Sequence, residues 1–167
     1  MSKMLKINPD QSFILNKNFF NHIEKKDTLK DKSIIKCSPM ISKYEQPLQL
    51  LYFNEMGILI SFHNNCYAEG FPKLKWNRSH RFEEFVPETT IPITDSALRL
   101  SFLISYIEPV DNNYRSTNDK ITIVLFWSGF MMKQSKELIK TARQNLKLDL
   151  THSAKILFVN TDNCFVE

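Results

Sequence analysis

The sequence predicts a single α+β domain over residues 1–167, with a mostly antiparallel sheet, a C-terminal β-α-β crossover and a short N-terminal helix. Three observations carry that prediction. Leu48 to Phe53 and Ile58 to His63 are apolar, β-favouring runs joined by Asn54-Glu55-Met56-Gly57, the pattern of a β-hairpin. Ile121 to Trp127 is a continuous apolar run and reads as a buried strand, followed by Gly129 and a helical pattern reaching about Lys147. Ala154 to Asn160 is a second such run, which closes a strand-helix-strand unit. The two strands of that unit are expected to be parallel, with the helix over one face.

The remaining elements follow from local spacing. Phe19, Phe20 and Ile23 stand at helical intervals behind Asn16, a residue suited to capping, so a helix is expected from Asn16 to Lys26. Ser33 to Cys37 reads as a brief strand. Residues 64–93 contain Gly70, Pro72, Pro87 and Pro92 with no sustained period, and so form a long irregular excursion. From Ala97 to Ile107 apolar residues alternate, with Leu98, Leu100, Phe102, Ile104 and Tyr106 on one side, which predicts a central strand ending at Glu108-Pro109. A helix beginning at Asp95 or Ser96 is the competing assignment.

Composition narrows the function. At 167 residues with 43% hydrophobic and 24% charged side chains, the chain can bury a substantial core. The scarcity of Gly and Ala beside abundant Asn, Lys, Ile and Phe reads as the codon bias of an AT-rich, bacterial genome. The N-terminus lacks the apolar stretch of a secretory signal, and no run reaches the roughly 20 residues needed to span a bilayer. Cys37, Cys66 and Cys164 are three in number, far apart and without a Cys-x-x-Cys pair, which argues against a disulfide framework and fits a reducing cytoplasm. His22, His63, His80 and His152 stand at no metal-ligand spacing, and glycines only at 57, 70 and 129 cannot build a phosphate-cradling loop. No catalytic residue, metal or cofactor is therefore predicted. His63 and Cys66 would form a nucleophile–base pair only if the fold bent them together.

The net charge of +4 is unevenly spread: residues 1–47 carry nine lysines against five acids, while residues 48–119 carry six basic residues against nine acids. Two segments concentrate positive charge. Lys133, Lys136, Lys140, Arg143 and Lys147 recur at intervals of three and four, which lines them along one stripe of the predicted helix, beside an apolar face of Leu138, Ile139, Ala142 and Leu146. In the excursion, Lys73, Lys75, Arg78 and Arg81 interleave with Trp76 and Phe82, residue types that anchor protein interfaces and stack on bases. Glu83, Glu84 and Glu88 follow and could neutralise them in cis.

The tail resembles the first half of a thioredoxin-like domain, through Val124-Leu125-Phe126-Trp127 before the helix, Lys136-Glu137 within it and Asn160-Thr161-Asp162 after it. The resemblance covers about 45 residues, and its cis-proline strand and closing helix have no counterpart here. It implies a redox helix opening with Cys-x-x-Cys. The corresponding positions are Met131 and Gln134, neither of which can form a thiolate. Three functions are therefore expected, in this order. The first is a non-catalytic intracellular protein-binding module, of the immunity, inhibitor or adaptor type, with Trp76 exposed as its anchor. The second is a nucleic-acid-binding protein using the helix stripe, and the third a degenerate thioredoxin-like protein.

Overall fold

The computed structural model describes residues 5–8, 11–19, 46–65, 68, 73–90, 93, 98–110 and 119–165. Six strands form one mixed sheet: β1 (Ser12–Leu15), β2 (Gln49–Asn54), β3 (Leu59–Asn64), β4 (Ile107–Pro109), β5 (Ile121–Trp127) and β6 (Ala154–Asn160). Among the described residues two α-helices accompany it, α1 (Leu100–Ile104) and α2 (Met132–Leu146). The strand order is β3-β2-β5-β6-β1-β4. β2 runs antiparallel to β3 and β5, and β4 antiparallel to β1, while β5, β6 and β1 are mutually parallel. No helix among the described residues is long and apolar enough to cross a membrane.

The three central runs read as uninterrupted apolar sequence because both sheet faces are covered. Leu50, Tyr52, Ile123, Leu125, Trp127, Ile156 and Phe158 point to one face, where Leu138, Ile139 and Ala142 of α2 pack on them. Their alternates Leu51, Phe53, Val124, Phe126, Leu157 and Val159 point to the other, against Phe19 and Leu103. The hairpin forms as expected: Gly57 takes φ +68°, and Asn54 Oδ1 accepts from the amides of Met56 and Ile58. The outer edge of β3 is occupied at Phe62, whose amide donates to Thr89 Oγ1 and whose carbonyl accepts from the Thr90 amide.

The strand expected over residues 97–107 is not there. Leu100–Ile104 is a short helix, and only Ile107–Pro109 is strand, at the sheet edge where Pro109 is tolerated. Eight of the eleven residues from 97 to 107 are apolar, so the run satisfies both periods, and tertiary packing decides. Leu103 is fully buried, Phe102 and Tyr106 stack four residues apart at 5.0 Å, and both pack on Phe19. β1 was not anticipated; it is only four residues long and is held between β6 and β4. Asn16 Oδ1 accepts from the Asn18 amide, but the body of the helix expected to Lys26 lies outside the described residues, as does the strand expected at 33–37.

Candidate functional site: a basic surface on the long helix

Residues 73–90 pack beside α2 and are irregular apart from a 3-10 turn at Arg81–Glu83. Asn145 ties them down. Its amide nitrogen donates to the carbonyls of Phe82 at 3.0 Å and Glu84 at 2.7 Å, while its Oδ1 accepts from the Tyr52 hydroxyl at 2.8 Å. Asn145 is fully buried, so its bonds to Tyr52 and Phe82 form away from solvent, while the bond to Glu84 is part-buried. Burial also holds the Tyr52 phenol well above its usual range, which keeps it a donor.

This docking divides the six residues expected to form an aromatic-basic loop. Lys73, Lys75 and Arg78 are exposed. Trp76 and Phe82 are not: they are 7% and 5% exposed and belong to the core cluster beneath α2. The expected exposed Trp76 anchor is thereby corrected. Its burial had a signal in the alternation Lys73-Leu74-Lys75-Trp76, in which Leu74 and Trp76 both face inward. Arg81 is turned back into its own loop, donating to Thr89 O and Ser79 Oγ and lying 3.8 Å from Glu88. Glu83 pairs with His80 at 2.6 Å.

On α2, Lys133, Lys136, Lys140 and Lys147 are exposed and Arg143 half-buried. The Arg143 guanidinium lies 5.5 Å from the centre of the Phe158 ring and donates to the Lys6 carbonyl at 2.6 Å. Two concavities flank Lys140. One, of about 360 Å³, brings Lys75 and Arg78 of the loop beside Glu137, Lys140 and Gln144. The other, also about 360 Å³, lies between α2 and the Leu5–Lys6 segment and adds Lys6, Lys136, Arg143 and Lys147. Loop and helix, separate in sequence, thus present one basic surface. Lys6, Lys75, Lys136, Lys140 and Lys147 have no ion-pair partner among the described residues.

Two polar clusters elsewhere are closed. Ser61 Oγ donates to the Pro87 carbonyl at 2.7 Å, so it can only accept from His63 Nε2 at 3.0 Å, and Nδ1 faces Thr90 Oγ1 at 3.2 Å. His63 is 2% exposed; burial, then the nearby Arg81 charge, pushes its pKa down to about 3. It is a neutral structural imidazole with its serine's proton directed away, the wrong arrangement for a general base. The Cys66 once paired with it in sequence lies outside the described residues. At the C-terminal ends of β5 and β6, Asp162 accepts from Ser128 Oγ at 2.7 Å and the Gly129 amide at 2.9 Å, and Asn160 Nδ2 donates to it at 3.1 Å. Ser128 and Ser135 exchange two further bonds. A carboxylate thus fills the crevice where α/β sheets receive ligands. Cys164 is half-buried, and burial pushes its thiol up to about 11.

The low pKa of His63 has a measurable consequence. Its neutral form stabilises the fold fully above the ordinary value of 6.5. That contribution is lost as pH falls from there toward 3, at roughly 1.4 kcal/mol per unit. Denaturant midpoints of the wild type and His63→Gln at pH 7 and about pH 4.5 should therefore differ in slope, the wild type losing on the order of 2–3 kcal/mol more. Equal slopes would place His63 in contact with water.

No protein-family model, curated protein or solved structure matches this chain. The surface itself carries the functional reading.

Proposed function

We propose that the protein is a non-catalytic binding protein of the immunity, inhibitor or adaptor type, which recognises an acidic surface on a partner protein. One observation supports this reading above the others: Lys75 and Arg78 lie beside Lys140, on a loop that Asn145 ties to α2 at Phe82 and Glu84. Cations fixed on a rigid base lose little side-chain and loop entropy on binding, which favours recognition over casual ion pairing. The anchoring is electrostatic rather than aromatic, since Trp76 and Phe82 serve the core. Their burial also removes the stacking platform on which single-stranded nucleic acid would rest. Glu137, Gln144 and Asn77 interrupt the cations with neutral or negative hydrogen-bonding groups, a texture suited to a protein surface more than to a uniform phosphate backbone.

The test is capture of partners by the wild type and by the double variant Lys75→Glu/Arg78→Glu. Both residues are exposed, so the variant should fold normally. The reading expects a stoichiometric acidic protein whose affinity falls on the order of tenfold or more in the variant and declines with salt. Retention of the same partner by the variant would contradict it. Capture that disappears on nuclease treatment would replace it with nucleic-acid binding through the α2 stripe.

A further inference from the structure

We propose that the groove between α2 and the Leu5–Lys6 segment is a binding site for a linear polyphosphate, a ligand that the partner-binding reading neither requires nor supplies. The groove, of about 360 Å³, is lined by Lys6, Lys136, Lys140, Arg143 and Lys147, with Leu5 at its base. No carboxylate among the described residues lines it. Five cations gathered in so small a concavity repel one another, and no carboxylate in its lining offsets them. That distinguishes this groove from its neighbour, where Glu137 stands among the cations.

The wall facing α2 is built rather than draped. Leu5 and Ile7 are buried in the same core cluster as Leu138, Ile139 and Ala142. Between them Lys6 adopts φ +52°, a left-handed backbone that a lysine enters at a cost of roughly 1 kcal/mol. That conformation aims its carbonyl at Arg143, 2.6 Å from Nη2. The segment is thereby fixed across 137 residues of sequence separation, and the Lys6 side chain joins the helix cations.

The charge density selects the ligand. A phosphoanhydride chain packs successive anionic groups into a few ångströms, so several can meet the clustered ammonium groups at once. An extended acidic peptide advances ~3.3 Å per residue and turns alternate side chains to opposite sides, so fewer carboxylates reach one groove. A nucleobase finds no aromatic platform in the lining, and the Phe158 ring beside Arg143 is covered by its guanidinium. Binding should therefore ignore the base. The volume lies at the low end of the range for small-molecule sites.

Calorimetric titration of the full chain with inorganic tripolyphosphate, in magnesium-free buffer at about 50 mM and about 300 mM salt, tests this directly. The site predicts saturable binding at low salt that weakens steeply at high salt, with ATP bound within about threefold of tripolyphosphate. Lys6→Gly removes the cation while suiting the left-handed backbone, and Lys136→Ala trims an exposed lysine. Each should weaken tripolyphosphate by up to about fivefold, and the two together by about tenfold, at unchanged melting temperature. Lys75→Glu/Arg78→Glu should leave tripolyphosphate binding within about twofold, so that loss of the partner and loss of the anion are separable. Absence of saturable binding at low salt, affinity indifferent to Lys6→Gly/Lys136→Ala, or tighter binding of an oligothymidylate than of tripolyphosphate would each overturn the assignment.

Discussion

Trp76→Ala is expected to destabilise the fold by about 3–5 kcal/mol, the cost of removing a large aromatic side chain from a packed core. Trp76 is 7% exposed and shares its cluster with Leu74 and Phe82 of its own loop and Leu138 and Ala142 of α2, so the vacated space is enclosed by packed core residues. For a chain of this size the loss lowers the melting temperature by on the order of 10 °C. The indole nitrogen is buried and makes no hydrogen bond to any of the described residues. Trp76→Phe, which deletes that donor and keeps a ring, should therefore cost far less than Trp76→Ala. A melting curve for the two variants checks the ranking. An unchanged melting temperature for Trp76→Ala would return the indole to the surface and restore an aromatic anchor to the recognition loop.

Asn145→Ala should cost about 3–4 kcal/mol despite deleting only a small side chain. The substitution strands the Tyr52 hydroxyl and the carbonyls of Phe82 and Glu84, and a buried polar group left without its partner costs roughly 1–3 kcal/mol. The Glu84 bond is only part-buried, so water can restore some of that share. Tyr52→Phe should lose about 1 kcal/mol, since it removes a single bond, and combining it with Asn145→Leu should recover part of the loss by removing both ends of the Tyr52–Asn145 bond. Chemical denaturation gives these values. Amide exchange gives the structural corollary: in Asn145→Ala the amides of residues 82–86 should lose protection before those of β5 and β6 do. Uniform loss would mean that Asn145 stabilises the core without clamping the loop.

What could be read from the sequence depended on how far apart the deciding residues lie. The hairpin, β5, α2 and β6 were legible because each declares itself within a dozen or so residues. Asn54 and Gly57 specify the turn, the apolar runs of β5 and β6 require cover on both faces, and α2 alternates buried Leu138, Ile139 and Ala142 with exposed lysines. The run from Leu98 to Ile107 was not, because its apolar residues suit strand and helix equally and Phe19 settles the matter from a distance. The cationic stripe of α2 was legible from its three-and-four spacing. Its continuation onto the loop and onto Lys6 was not, since those neighbours are set by Asn145 reaching back to Phe82 and by Arg143 reaching back to the N-terminal segment. Asp162 belongs to the same class: an Asn-x-Asp after a strand gives no hint that its carboxylate will receive Ser128 and Gly129 from the end of another.

Recognition of an acidic partner by the loop and α2 together is tested most directly by mapping amide chemical shifts while a glutamate-rich peptide is added at low salt. The expected result is saturable perturbation centred on Lys75, Arg78, Glu137, Lys140 and Gln144, reversed by salt and absent from Lys75→Glu/Arg78→Glu. No saturable shift, or shifts centred on the opposite face around Phe19 and Leu103, would contradict it.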